Sequence, residues 1–183
     1  MEPISHLKKI TLFISAACTT DRVGSGGWAC RLQFGDVVSE MFGCDAKTTV
    51  NRMAIRAATE GLRAIKQRCC VDVHTSSDYV YNGMRNWLPK WKTNGWQTES
   101  GEVKNQELWK ELGEAAAQHV VRWWLLKADS PDASKHQLCE KLASEAAARQ
   151  ISSPLTRKLP ERVGAPKTAD VIPSTVPDEK VAV

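Results

Sequence analysis

Between Arg85 and Trp109 the sequence interleaves cations with indoles: Arg85, Lys90, Lys92 and Lys104 alternate with Trp87, Trp91, Trp96 and Trp109. Lysine and arginine bind phosphate without regard to base sequence and in a salt-sensitive way, and an exposed tryptophan offers a face on which a base can stack. Together they make chemistry suited to nucleic acid. Large aromatics in a small domain more often anchor its core, so Trp87, Trp96 and Trp109 are expected to pack, and Trp91, flanked by Lys90 and Lys92, to be exposed. Other reactive side chains stand alone. His74 has no acid pair or nucleophile beside it, which favours a packing or hydrogen-bonding residue over a general base. Six cysteines (Cys18, Cys30, Cys44, Cys69, Cys70 and Cys139) lack metal-type spacing, and two of them are adjacent. They read as reduced packing thiols of a cytoplasmic protein. A net charge of +4 and a pI near 8.8 suit a polyanionic partner without requiring one.

The elements that must hold these residues follow from periodicity. Strand-like runs over 9–17, 27–34 and 37–43, separated by Gly26-Gly27 and Gly35-Asp36, predict an antiparallel meander. Ile55, Ala58, Leu62 and Ile65 recur at spacings of three and four, one apolar face of a helix within 49–68. Further strands are predicted at 70–75 and 119–127, with helices near 77–87, 104–117 and 135–150, a mixed α/β layer. At 183 residues the chain has room for one well-cored domain and a tail. Five of the eight prolines crowd beyond Gln150 among Ser, Thr and scattered charge, which predicts a disordered tail. The tail is expected to be a solvating extension, with a short docking peptide for a protein partner, carried by the basic cluster Arg157, Lys158 and Arg162, as the alternative. No stretch approaches the ~18 apolar residues of a membrane span.

Five stretches resemble type 1 ribonuclease H. The apolar run from Ile10 to Cys18 resembles the family's first strand, with Ile14-Ser15-Ala16-Ala17 where the family has Thr-Asp-Gly-Ser, and Gly26-Gly27-Trp28-Ala29 follows. Thr48-Thr49-Val50-Asn51-Arg52-Met53-Ala54 is similar to the family's Thr-Thr-Asn-Asn-Arg-Met-Glu, and Thr75-Ser76-Ser77-Asp78-Tyr79-Val80 to its Thr-Asp-Ser-x-Tyr-Val. The Lys and Trp run over 86–96, with 103–109 after it, resembles the family's basic handle. Leu138-Cys139-Glu140-Lys141-Leu142-Ala143 stands where the family has an Asp-x-Leu-Ala helix. The resemblance implies an α/β ribonuclease H-like fold, a five-stranded mixed sheet flanked by helices. Its expected limits are a short leader over 1–7, the domain over 8–150 and the disordered Pro-rich tail over 151–183.

The resemblance also implies a site, and there the chain departs from the family. Family members use four acids to hold two Mg2+ ions on the scissile phosphate, and Mg2+ wants charged oxygens. The matching positions here are Ser15, Ala54, Ser76 and Glu140, so only one is still an acid. Neighbouring acids do not substitute on geometric grounds. Strand alternation puts Phe13 and Ala17, not acids, on the face of Ser15, and Glu60, six residues past Ala54, points roughly 240° away. Asp78 lies closest, and with Glu140 is the weak alternative for a metal. Asp129 stands where the family often has a mobile His. For binding, the resemblance places a phosphate pocket at Lys47, Thr49 and Asn105, groove contacts at Asn51, with Val50 in place of a polar neighbour, and the handle at Arg85, Lys90, Trp91, Lys92 and Lys104. The expectation is a catalytically impaired nucleic-acid-binding protein, a pseudoenzyme for RNA–DNA hybrid or another A-like duplex, with no cofactor. The alternatives are an active Mg2+-dependent hybrid ribonuclease with an atypical site, and a protein-interaction scaffold.

Overall fold

The structure, a computed structural model, describes residues 6–99, 101–127 and 129–152. The tail from Ser153 onward, including Arg157, Lys158 and Arg162, lies outside them, as do the first five residues of the leader. The meander forms as expected: β1 (Lys9–Cys18), β2 (Gly24–Phe34) and β3 (Val37–Thr48) are consecutive and antiparallel. After α1 (Val50–Ala64) the chain returns as β4 (Cys70–Thr75), parallel to β1, and β7 (Val120–Leu125) extends the sheet parallel to β4. The sheet order is β3-β2-β1-β4-β7, the five-stranded mixed sheet of a ribonuclease H-like fold. Between β4 and β7 run α2 (Asp78–Asn82), a π-helical turn (Gly83–Trp87), α3 (Leu88–Thr93), a small hairpin of β5 (Gln97–Thr98) and β6 (Gly101–Glu102), and α4 (Gln106–Ala117). The last helix is α5 (Ala133–Arg149).

Strand alternation in β1 builds two layers. Leu12 and Ile14 point into the main core with Met53, Ile55, Ala58 and Leu62 of α1. Phe13 points the other way, where Cys139 of α5 donates from Sγ to its carbonyl at 3.5 Å. The start of α1 is set by Thr49, extended at φ −126° and ψ 157°, whose Oγ1 accepts the Arg52 N–H and caps the first turn.

Two expectations need correction. Gly26 and Gly27 are not a turn: β2 begins at Gly24, and both glycines pair with β1 and β3. A Cβ on Gly27 would sit 2.1 Å from the Ala143 carbonyl oxygen, so the glycine is required because α5 lies directly on the strand backbone. Nor is Trp91 exposed. It is half-buried against Trp87, Trp96 and Trp109, with ring centroids at 5.8, 6.3 and 5.5 Å. The packing of Trp109, which is fully buried, is as expected. The π-helical turn sits just before Pro89, which has no N–H and would clash with a carbonyl one turn back in a regular helix. Leu88 N–H instead reaches Gly83 O. Among the described residues no helix is long and apolar enough to cross a membrane.

Candidate functional site

Because β1 and β4 are parallel neighbours with Ile14 opposite Thr75, they deliver Ser15 and Ser76 side by side at the same end of the sheet. The first turns of α1 lay Asn51 and Ala54 over them, and the residues close a cavity of about 430 Å³. Ser15 and Ala54 are buried, while Ser76 is exposed. Asp78 lines the same cavity from the first position of α2, after Ser77 has capped that helix by accepting the Val80 N–H at 3.3 Å.

The other acids lie elsewhere. Glu140 does not line the cavity; its Oε1 stands 3.3 Å from His136 Nδ1, whose ring bonds the Ile14 carbonyl through Nε2 at 3.0 Å. Asp129 is exposed on the connection between β7 and α5. The cavity lining therefore offers hydroxyls and one carboxylate. Among the described residues no three His, Cys, Asp or Glu side chains are grouped to hold a metal ion. Mg2+ takes charged oxygen ligands, and Asp78 is the one carboxylate that this lining offers.

Beside this cavity lies a more open groove that shares Val50, Asn51 and Tyr79 with it, and its charged residues are the cations Arg22, Arg52 and Lys104 and one acid, Asp21. Thr49 and Asn105 line it as well. Lys47 is exposed but is not among the lining residues. Asn105 precedes α4 in a left-handed conformation, φ 59°. Its amide is engaged at both ends: Oδ1 accepts from Arg52 Nη1 at 3.0 Å, and Nδ2 donates to the Tyr79 hydroxyl at 3.2 Å. Arg52 Nη1 also reaches Glu107 Oε1 at 2.6 Å. Burial pushes the Glu107 carboxyl up, but that hydrogen bond, the bond from its own backbone N–H and the Arg52 charge together outweigh it and leave the pKa below the ordinary value.

Sequence reasoning missed Arg52 and Arg22. Arg52 carried a signal, because it lies within the motif quoted and three residues after the cap of α1. Arg22 carried none, since it sits in an irregular loop. On the handle, Arg85, Lys90, Lys92 and Lys104 are all exposed, and Arg85 lies against Tyr81, its guanidinium 5.1 Å from the ring centre and Nη1 2.7 Å from the hydroxyl. His74 packs between Phe13 and Trp124 on the opposite side of the sheet from α1, and burial lowers its pKa.

The RNase H family model matches residues 7–148. The chain is 41% identical over 141 residues to the ribonuclease H of Neisseria meningitidis serogroup C, spanning 76% of this chain and 96% of that one. It is 45% identical over 122 residues to the ribonuclease H of Rhizobium meliloti, spanning 66% and 79%. Among solved structures it resembles LC9-RNase H1, described as a type 1 RNase H with the type 2 active-site motif. There the TM-score is 0.73 and the identity 26%, over 80% of this chain and 75% of that one. A second, LC11-RNase H1 in complex with RNA/DNA hybrid, matches in fold alone, with a TM-score of 0.57 and 13% identity over 76% and 97%. This chain is a member of the ribonuclease H family.

Proposed function

We propose that this family member holds a nucleic-acid duplex, RNA–DNA hybrid or another A-like form, without hydrolysing it. The observation that carries the reading is the lining of the cavity where β1 and β4 end: Ser15, Ala54 and Ser76 meet there, and Glu140 is turned aside to His136. Metal clamping contributes several kcal/mol to phosphate-transfer catalysis, and each ~1.36 kcal/mol is tenfold in rate. Three acids lost together remove most of the acceleration. The same substitutions remove carboxylates that would repel a phosphate chain, so binding no longer needs metal. Arg22, Arg52 and Lys104 in the adjoining groove, with Lys90 and Lys92 on the handle, supply the phosphate attraction.

Gel-shift affinity for a hybrid duplex is expected to be equal in EDTA and in Mg2+ and to fall steeply with salt. A variant carrying Ser15→Asp, Ala54→Glu, Ser76→Asp and Glu140→Asp is expected to cut the hybrid in Mg2+ while the parent does not. No shift with any duplex at low salt would sink the binding reading. A second reading, active hybrid hydrolysis through Asp78 and Glu140, rests on the relatives named ribonuclease H that match at about 40% identity over 96% of their length. Cleavage by the parent in Mg2+ or Mn2+ would decide for it.

A further inference from the structure

Trp124 is 49% exposed yet fixed in place. Its Nε1–H donates to Asp72 Oδ1 at 3.1 Å, and Arg122 grips the same carboxylate with two hydrogen bonds of 2.6 and 2.7 Å. The indole stacks on His74, with centroids 6.3 Å apart and planes at 19°, and His74 packs on Phe13 at 5.1 Å. Three rings thus run across β7, β4 and β1 on the face that α5 covers mainly over β1, β2 and β3; Phe13 is fully buried, and the strip of Trp124 with half-buried His74 is left uncovered. A large aromatic held rigid in solvent loses little entropy when something packs on it, which is the mark of a contact surface.

Charge narrows the occupant. Around the strip Arg122 is paired with Asp72, and Lys135 with Asp132 at 2.9 Å. Such a surface has no excess of cations to hold a polyanion. An extended, uncharged, proline-containing peptide suits it, since proline segments lie on aromatic rings with little ordering cost.

We propose that residues 163–177 of this chain's own tail dock on the Trp124–His74 strip. Within that segment the charges are Lys167 and Asp170, which cancel, and the prolines are Pro166, Pro173 and Pro177. The described chain ends at Ser152, whose Oγ is 3.7 Å from Cys44 Sγ on β3, the opposite edge of the sheet. From β3 to β7 is about 19 Å at ~4.8 Å per strand. Residues 153–162, at ~3.1 Å each, span about 31 Å, enough to pass around α5. A tether of this length holds the segment at an effective concentration of the order of millimolar, so a weak contact suffices.

The test is nuclear magnetic resonance of the ¹⁵N-labelled full chain, comparing the parent with Trp124→Ala and with a variant that leaves the folded domain untouched, Pro166→Ser, Pro173→Ser and Pro177→Ser. In the parent, the 163–177 segment is expected to show the fast transverse relaxation and positive heteronuclear NOE of the folded domain, independent of protein concentration. Both variants are expected to return it to free-chain values, and the proline variant to shift the Trp124 indole N–H signal. Free-chain relaxation in the parent would overturn the proposal. So would an indole signal indifferent to the proline substitutions. Domain-like fast transverse relaxation that disappears on dilution would assign the strip to a second copy of the chain, and intrachain docking would be wrong.

Discussion

The Tyr79 hydroxyl accepts hydrogen bonds from Trp109 Nε1 and Asn105 Nδ2, both at 3.2 Å, and faces the Lys104 carbonyl at 3.5 Å. It joins the floor of the Trp cluster to the wall of the cationic groove. Tyr79→Phe leaves the indole N–H of fully buried Trp109 without a partner, which costs about 1–3 kcal/mol. A urea titration is expected to show that loss, and a hybrid gel shift to show weaker binding as Asn105 and Arg52 lose their anchor. An unchanged unfolding midpoint would mean that the hydroxyl has no structural part. At this scale the sequence was legible wherever a motif fixed the position: Ser15, Ala54 and Ser76, far apart in the chain, do line one cavity. It was illegible for Trp91, because adjacent positions on a helix point about 100° apart. Cations at 90 and 92 therefore say nothing of where 91 points. Trp124 was missed for a related reason. In the pair Trp123-Trp124 one ring must face each way, and only the register with β4, which sends Trp123 to the core, decides which.

Elements were predicted well where periodicity set them and poorly where a neighbouring element did. The glycines of β2 read as a turn in sequence, yet the demand on Gly27 comes from α5, more than 115 residues later. A Cβ there would lie 2.1 Å from Ala143 O and 2.5 Å from Ala147 N, both backbone atoms that cannot rotate away. Gly35 is the contrasting case: it does turn the chain, with φ +55°, and a Cβ would meet nothing within 4 Å. Gly35→Ala is therefore expected to cost only the left-handed backbone term, about 1–2 kcal/mol. Gly27→Ala must displace α5, and should reach or exceed the upper end of the ~1–3 kcal/mol typical of overpacking. Equilibrium unfolding of the two variants measures the difference. Equal losses would mean that α5 can slide on the sheet without penalty, contrary to the close packing described.

Across the whole molecule, the groups whose titration weakens the fold on acidification fall into two sets with separate pH windows. Burial lowers the pKa of His74 and of His119. His119 Nδ1 accepts the Cys69 N–H at 3.4 Å, and Nε2 lies 3.2 Å from the Leu62 carbonyl, so the neutral ring satisfies both contacts and a proton on Nδ1 would break one. A histidine with a folded pKa below its unfolded value of about 6.5 contributes stability that is present above that pH and is lost as pH falls through the folded pKa. The acids titrate lower. Burial raises Asp72, but its bonds from Arg122 and Trp124 outweigh that and bring it below the usual carboxylate value, so its contribution is present above about pH 4 and is lost in stronger acid. Stability is therefore expected to fall in two stages on acidification, the first beginning near pH 6.5 and belonging to the histidines. His74→Phe keeps a ring between Phe13 and Trp124 and removes the titration, so it should reduce the slope of the first stage and leave the second. Denaturant midpoints taken at half-unit steps from pH 7.5 to 3.5 measure this. If the first stage keeps its full slope in His74→Phe, the imidazole in the ring strip does not change its proton occupancy on unfolding.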